Sequence, residues 1–161
     1  MARGGRGFKK SFYVPRNKAK YKGVGTPIAR SGWERSFMEY FDNNPLILEW
    51  ASEPFAIPYV KPTDGRMHRY YPDFLVIYRT ADGQIRRELI EVKPASQSRP
   101  SRAKNATARF NESVVYAVNC AKWEAARRWC AANQCTFKIL TEKGEMHDGK
   151  VVSPLVNPLH T

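Results

Sequence analysis

At 161 residues, with 42% hydrophobic residues spread along it, the chain is long enough for one domain with a real core and too evenly apolar for extensive disorder outside its ends. Lys and Arg outnumber Asp and Glu by 27 to 15, a net charge of +12, which favours a polyanion as partner, nucleic acid ahead of anionic lipid or an acidic protein. No apolar run approaches the roughly 18 residues that span a bilayer, and the amino terminus has no signal-peptide core, so a soluble cytosolic protein without a membrane partner is expected.

Residues 1–24 contain Arg3, Arg6, Lys9, Lys10, Arg16, Lys18, Lys20 and Lys22 and no acid. They read as a basic, flexible arm that cannot fold alone and orders on a partner. Phe12, Tyr13 and Tyr21 are interleaved with the charges; packing on the domain is the more frequent use of such tyrosines, and base stacking the alternative. The main domain is expected over 25–150 and an extended tail over 151–161.

A first helix is expected from Ser31, where Ser31-Gly32-Trp33-Glu34 fits a capping box and Trp33, Phe37, Tyr40 and Phe41 recur at helical spacing up to Asn43-Asn44-Pro45. Glu34 either reaches back to the Ser31 amide as a cap or turns its carboxylate toward a site; the residues alone divide these evenly. Glu39 and Asp42 read as solvated face residues. Leu46–Trp50 and Phe55–Tyr59 read as extended segments around Ser52-Glu53-Pro54, a bent or bulged strand, with Glu53 as the buried structural partner of a nearby arginine in preference to a peripheral site residue. Lys61–Arg66 forms a turn leading to Met67–Tyr71.

Next comes YPDFLVIYRTADGQIRRELIEVKP, Tyr71 to Pro94. Two apolar-rich runs flank Ala81-Asp82-Gly83, a strong hairpin signal. With Asp82 central, antiparallel partners have numbers summing to about 164, which sets Asp73 opposite Glu91 and brings Lys93 to the same face. Two carboxylates about 5 Å apart repel unless a proton or cation lies between them, and a hard divalent ion such as Mg²⁺ suits them. A lysine beside them complements a phosphate or holds an attacking water. Charges at strand ends are more often merely solvated, so the motif alone is weak; the register, the upstream Glu34 and the basic composition strengthen it. Arg66, His68 and Arg69 precede Asp73 and could grip phosphates; His68 could carry a proton, although a lone histidine is more often simply hydrogen-bonded.

Ala95–Asn105 reads as a basic loop in which Arg99, Arg102 and Lys104 are candidate backbone contacts. A helix is expected from about Ala108 to Ala132, with Val114, Val118, Ala121, Ala125 and Trp129 inward and Lys122, Arg127 and Arg128 outward. Thr136–Thr141 reads as a last strand and 142–161 as turns and tail. Cys120, Cys130 and Cys135 make no C-x-x-C pair and His68, His147 and His160 are not spaced with them, so free thiols and no structural zinc are expected.

The order helix, strand, hairpin, helix, strand, with Pro72-Asp73, Glu91-Val92-Lys93 and Ser31-x-x-Glu34, resembles the PD-(D/E)xK nuclease superfamily. More narrowly, RSGWERSFMEYFDNNPLILEWASEPFAIPY followed by RYYPDF and IEVKP is similar to the head-completion nucleases of contractile-tailed bacteriophages and to TnsA-type endonucleases. The resemblance covers about Arg30 to Pro94 well and the last helix and strand loosely, and says little of the first 24 residues or the final twenty. It implies an α/β fold with an αβββαβ core, a mixed sheet flanked by helices. It also implies that Asp73 and Glu91 bind Mg²⁺, with Mn²⁺ able to substitute. The Val92 carbonyl is then a further ligand, Glu34 a third carboxylate acting directly or through water, and Lys93 the residue that positions the water. The implied activity is hydrolysis of DNA during head completion, in the host cytoplasm or on the virion, beside portal or head-tail connector proteins and without a small-molecule cofactor. A structural DNA-binding head component without turnover, and a junction-resolving or transposon-end endonuclease, stand as alternatives.

Overall fold

The computed structural model describes residues 9–147 and 150–153. The expected contributions of Arg3, Arg6 and His160, and of the tail from 154 onward, lie outside these residues. In chain order the elements are β1 (Ser11–Phe12), β2 (Ile28–Ala29), α1 (Gly32–Asn43), β3 (Ile47–Ser52), β4 (Ile57–Val60), β5 (Met67–Tyr70), β6 (Phe74–Arg79), β7 (Ile85–Val92), a 3-10 turn at Ala95–Gln97, α2 (Ala106–Ala132), β8 (Thr136–Thr141), β9 (Gly144–His147) and β10 (Lys150–Ser153).

The central sheet has six strands in the order β10-β9-β8-β7-β6-β3, antiparallel except for the β7–β8 pair, and is therefore mixed. The parallel pair requires a crossover, which α2 supplies. Alternation along the strands divides the core into two layers. Phe37, Met38 and Phe41 of α1 pack with Phe74, Val76, Ile90 and Leu140 on one face. Trp123, Ala126 and Cys130 of α2 pack with Leu89 and Ile139 on the other.

The β6–β7 hairpin has the expected register. Phe74 pairs with Ile90 and Arg79 with Ile85, so partners sum to 164. Thr80 donates its amide to the Gln84 carbonyl at 2.7 Å, and Gly83 sits at φ +87°, a conformation that favours glycine.

Several expectations need correction. The segment around Ser52-Glu53-Pro54 is not one bent strand. β3 stays in the central sheet, whereas β4 pairs with β5 as a separate hairpin. Glu53 takes φ +45°, which turns the chain out of the sheet. Beyond β8, residues that read as turns and tail instead contribute β9 and β10 to the sheet edge.

The buried stripe of α2 is Asn119, Trp123, Ala126 and Cys130. Val118, Ala121, Ala125 and Trp129 pack only at its flank. The helix is thus rotated from the expected orientation, and Lys122 points inward along the flank rather than outward.

The basic arm is not separate from the domain from residue 11 onward. Asp42, expected on a solvated face, is fully buried and organises the arm. Its carboxylate accepts from the Tyr13 hydroxyl at 2.7 Å and from the amides of Arg16 at 2.7 Å and Asn17 at 2.9 Å. Lys20 donates its ammonium to the carbonyls of Asp42 and Asn44 at the end of α1, which complements the helix dipole. Tyr21 bridges to Trp50, and the Trp50 carbonyl accepts from the Lys22 amide at 2.9 Å. Tyr13 and Tyr21 therefore pack, as expected for tyrosines in such a segment.

Candidate active site

Asp73 lies one residue before β6, and Pro72 before it is fully buried, which fixes the backbone entering the strand. Continuing the hairpin register by one step sets Asp73 across from Glu91. Strand alternation directs Asp73, Glu91 and Lys93 to the α2 side, since their neighbours Phe74 and Ile90 belong to the α1 layer.

The two carboxylates are held differently. Asp73 accepts the Val92 amide on Oδ2 at 2.7 Å, and its own carbonyl accepts the Glu53 amide at 2.9 Å. Glu91, only 4% exposed, has the Lys93 ammonium 3.4 Å from Oε1 and the Tyr70 hydroxyl donating to Oε2. Burial, and then the charge of Glu91, push the Asp73 carboxyl well above its ordinary range. Burial also raises Glu91, against the pull of Lys93 and the Tyr70 hydrogen bond. The pair is short of one positive charge.

Glu34 stands at the first turn of α1, where Ser31 accepts its amide at 3.1 Å. Its carboxylate does not reach back to the Ser31 amide; Oε2 accepts from the Arg30 amide at 3.1 Å. Burial raises its pKa, and it lies within the electrostatic field of Lys93. It also raises Asp73, so the helix terminus and the hairpin share one acidic region. Glu34 caps and approaches at once. Among the described residues, no three His, Cys, Asp or Glu side chains converge on one metal position. Glu53 forms a two-pronged ion pair with Arg30, at 3.1 and 3.2 Å, but on the surface rather than buried.

The cationic candidates scatter. His68 bonds to Asp64 at 2.7 Å. Arg66 is exposed in the β4–β5 turn. Arg69, paired with Pro58, is on the face of that hairpin opposite Tyr70. Arg99 lines a groove of about 260 Å³ with Ser101, Asn111 and Tyr116, while Arg102 and Lys104 are exposed. Lys9, Lys10, Arg16, Lys18 and Lys22 are exposed, whereas Lys20 is engaged with α1. Two residues not named as candidates lie beside the carboxylates: Tyr70, which donates its hydroxyl to Glu91, and, behind it, Lys122, whose ammonium lies 5.8 Å from the ring centroids of both Tyr59 and Tyr70. The alternation of β5 could have marked Tyr70 as inward; nothing in the helix pattern marked Lys122.

A mixed sheet with a buried Asp–Glu pair and an adjacent lysine is joined by a family match. Residues 44–142 match the TnsA-like endonuclease N-terminal family, a span that contains Asp73, Glu91 and Lys93 and begins after Glu34. The chain belongs to this endonuclease family and is a nuclease. It is also 38% identical over 139 residues to the head completion nuclease of Enterobacteria phage T4, a match covering 82% of this chain and 90% of that one. No helix among the described residues is long and apolar enough to cross a membrane.

Proposed function

We propose that the chain is a divalent-metal-dependent deoxyribonuclease with a PD-(D/E)xK core, in which β3, β6 and β7 are the three core strands, and that it processes DNA during phage head completion. The observation that carries the reading is the opposed Asp73–Glu91 pair with Lys93 beside it, each carboxyl raised by burial and Asp73 further by Glu91. Hard oxygen donors lacking one positive charge fit Mg²⁺, with Mn²⁺ able to replace it. Asp73 and Glu91 would hold the ion, with the Val92 carbonyl and, through water, Glu34 as further donors. When bound, the ion supplies charge to the phosphoryl oxygens and lowers the pKa of a coordinated water.

The remaining work belongs to the side chains. Lys93 holds the attacking water and counters charge at the phosphate. Tyr70 keeps Glu91 in one rotamer by donating to Oε2. Arg66, Arg99, Arg102, Lys104 and the exposed lysines of the amino-terminal segment contact backbone phosphates without reading bases. Portal or connector proteins are the partners this role implies, in the host cytoplasm or on the virion.

Cleavage of linear, circular single-stranded and branched DNA with Mg²⁺, Mn²⁺ or chelator tests the reading. Metal-dependent products are expected; DNA binding without cleavage of any substrate under any condition would instead make the chain a structural DNA-holding component. Saturating Mn²⁺ at about 100 times its Kd should stabilise the fold by about 2.7 kcal/mol, read as a rise in Tm that EDTA reverses. Tyr70→Phe, which leaves Glu91 without its hydroxyl donor, should lower kcat/KM about 10–100-fold while the fold survives, measured by cleavage kinetics beside a thermal melt.

A further inference from the structure

Lys122 has a placement that its sequence context does not explain. It occupies the middle of α2 beside Trp123, whose burial, with that of Asn119 and Ala126, fixes the rotation of the helix. That rotation lays the Lys122 stem along the flank facing β4 and β5. The ammonium rests 5.8 Å from the centroids of Tyr59 and Tyr70, near the faces of two aromatic rings that attract a cation. Tyr70 carries its hydroxyl to Glu91, and Lys93 approaches the same carboxylate from its other oxygen. Lys122 is therefore one ring away from the reacting centre.

Its charge is met by the two rings but by no carboxylate. Among the described residues no carboxylate lies within ion-pair distance of it, although Lys138, on the opposite layer of the sheet, is paired with Glu88 at 2.6 Å. Burial lowers its pKa, Lys93 and then Lys61 repel it, and Glu91 and Asp73 attract it, so it lies in the field of the same carboxylate pair. Once a divalent cation offsets the carboxylates, Lys93 and Lys122 remain as positive charge beside Glu91 and Tyr70. Such a position binds an anion.

We propose that Lys122 is a substrate-binding residue of the active site, its ammonium contacting a non-bridging oxygen of the DNA backbone phosphate held against Asp73 and Glu91. The proposal rests on the nuclease reading above and adds to it a cation from the second helix layer. Tyr59 and Tyr70 act as a platform that stops the lysine from folding onto Glu91, which leaves its three donors for the phosphate. Arg128, six residues further along the helix and paired with Glu124, makes no such approach.

Lys122→Met, Lys122→Gln and Lys122→Arg test it on the full chain, with Arg128→Ala as the control. The neutral variants should lower kcat/KM for a duplex roughly 10²-fold, Lys122→Arg should recover most of that loss, and Arg128→Ala should cleave as wild type. In an Asp73→Asn background with chelator, where nothing is cut, duplex binding across a potassium chloride series should lose about 0.9 from the slope of log K against log salt when Lys122 is neutral. Neutral variants that melt as wild type and also cleave and bind as wild type would overturn the contact. So would a loss of activity with an unchanged salt slope and no recovery by arginine, because the lysine would then be acting only through Glu91. If wild type itself cuts nothing, the nuclease reading fails, while the salt slope still decides whether Lys122 meets a phosphate.

Discussion

Asp73→Asn should abolish cleavage, lowering kcat/KM at least about 10³-fold, and yet raise the Tm of the metal-free protein by about 3–6 °C. The two effects have one cause. Asp73 and Glu91 are opposed across a hairpin, and burial together with the neighbouring charge drives the Asp73 carboxyl far up. Glu91 has Lys93 and Tyr70 as partners, but Asp73 has a single amide, that of Val92. An asparagine keeps an oxygen for that amide and removes the uncompensated charge.

The pH dependence has a definite sign. A carboxyl raised in the folded state gives stability that is fully present below its unfolded value, about 4, and lost as pH rises through the higher folded value. In EDTA the wild type should lose more stability above pH 4 than the Asp73→Asn protein, which keeps only the smaller contributions of Glu91 and Glu34, and saturating Mn²⁺ should help only the wild type. Thermal melts at several pH values, with and without metal, make the comparison. Coincident curves for the two proteins in EDTA would show that the pair is not in electrostatic conflict.

How much of this was legible in the sequence follows from how local each signal is. The Asp73–Glu91 register could be counted because Asp82-Gly83 fixes the centre of the turn and strand alternation has a period of two, so no tertiary information is needed. The cap at Ser31 is equally local. Glu53 could not be read, because a glutamate carries no sign that its φ will be positive, and the chain leaves the central sheet there. Lys122 was missed for a related reason: α2 has Val, Ala, Trp and Cys around most of its circumference, so several stripes are nearly equivalent. The choice is made by Trp123 and Cys130 docking on Leu89 and Ile139, a contact between distant elements. Asp42 was misread because helix position and charge imply exposure unless a remote segment supplies donors, and that segment lies more than twenty residues upstream.

Asp42→Ala should remove about 3–4 kcal/mol of stability, a fall in Tm of about 10 °C, through an acceptor lost rather than a packing void. The carboxylate is the common partner of the Tyr13 hydroxyl and of the Arg16 and Asn17 amides, and alanine leaves all three donors without it. Tyr13 sits in the α1 layer of the core with Phe41 and Trp50, so the loosened segment takes apolar contacts with it. Lys20 and Lys22, which lace the segment to Trp50, then lose their anchor. Asp42→Asn, with one acceptor oxygen remaining, should fall between alanine and wild type.

Burial by itself raises the Asp42 carboxyl, but the hydrogen bonds from Tyr13, Arg16 and Asn17 outweigh it and hold the group below its ordinary range. Its stabilisation is therefore present above the unfolded value and is lost as pH falls through the lower folded value, opposite in sign to the Asp73–Glu91 pair. The wild type should unfold in acid more steeply than Asp42→Asn. Limited trypsin digestion gives the structural readout. Cleavage after Lys18, Lys20 or Lys22 should be slow in wild type and fast in Asp42→Ala at a temperature where the central sheet of both remains folded. Equal cleavage rates would mean that Asp42 does not hold the segment.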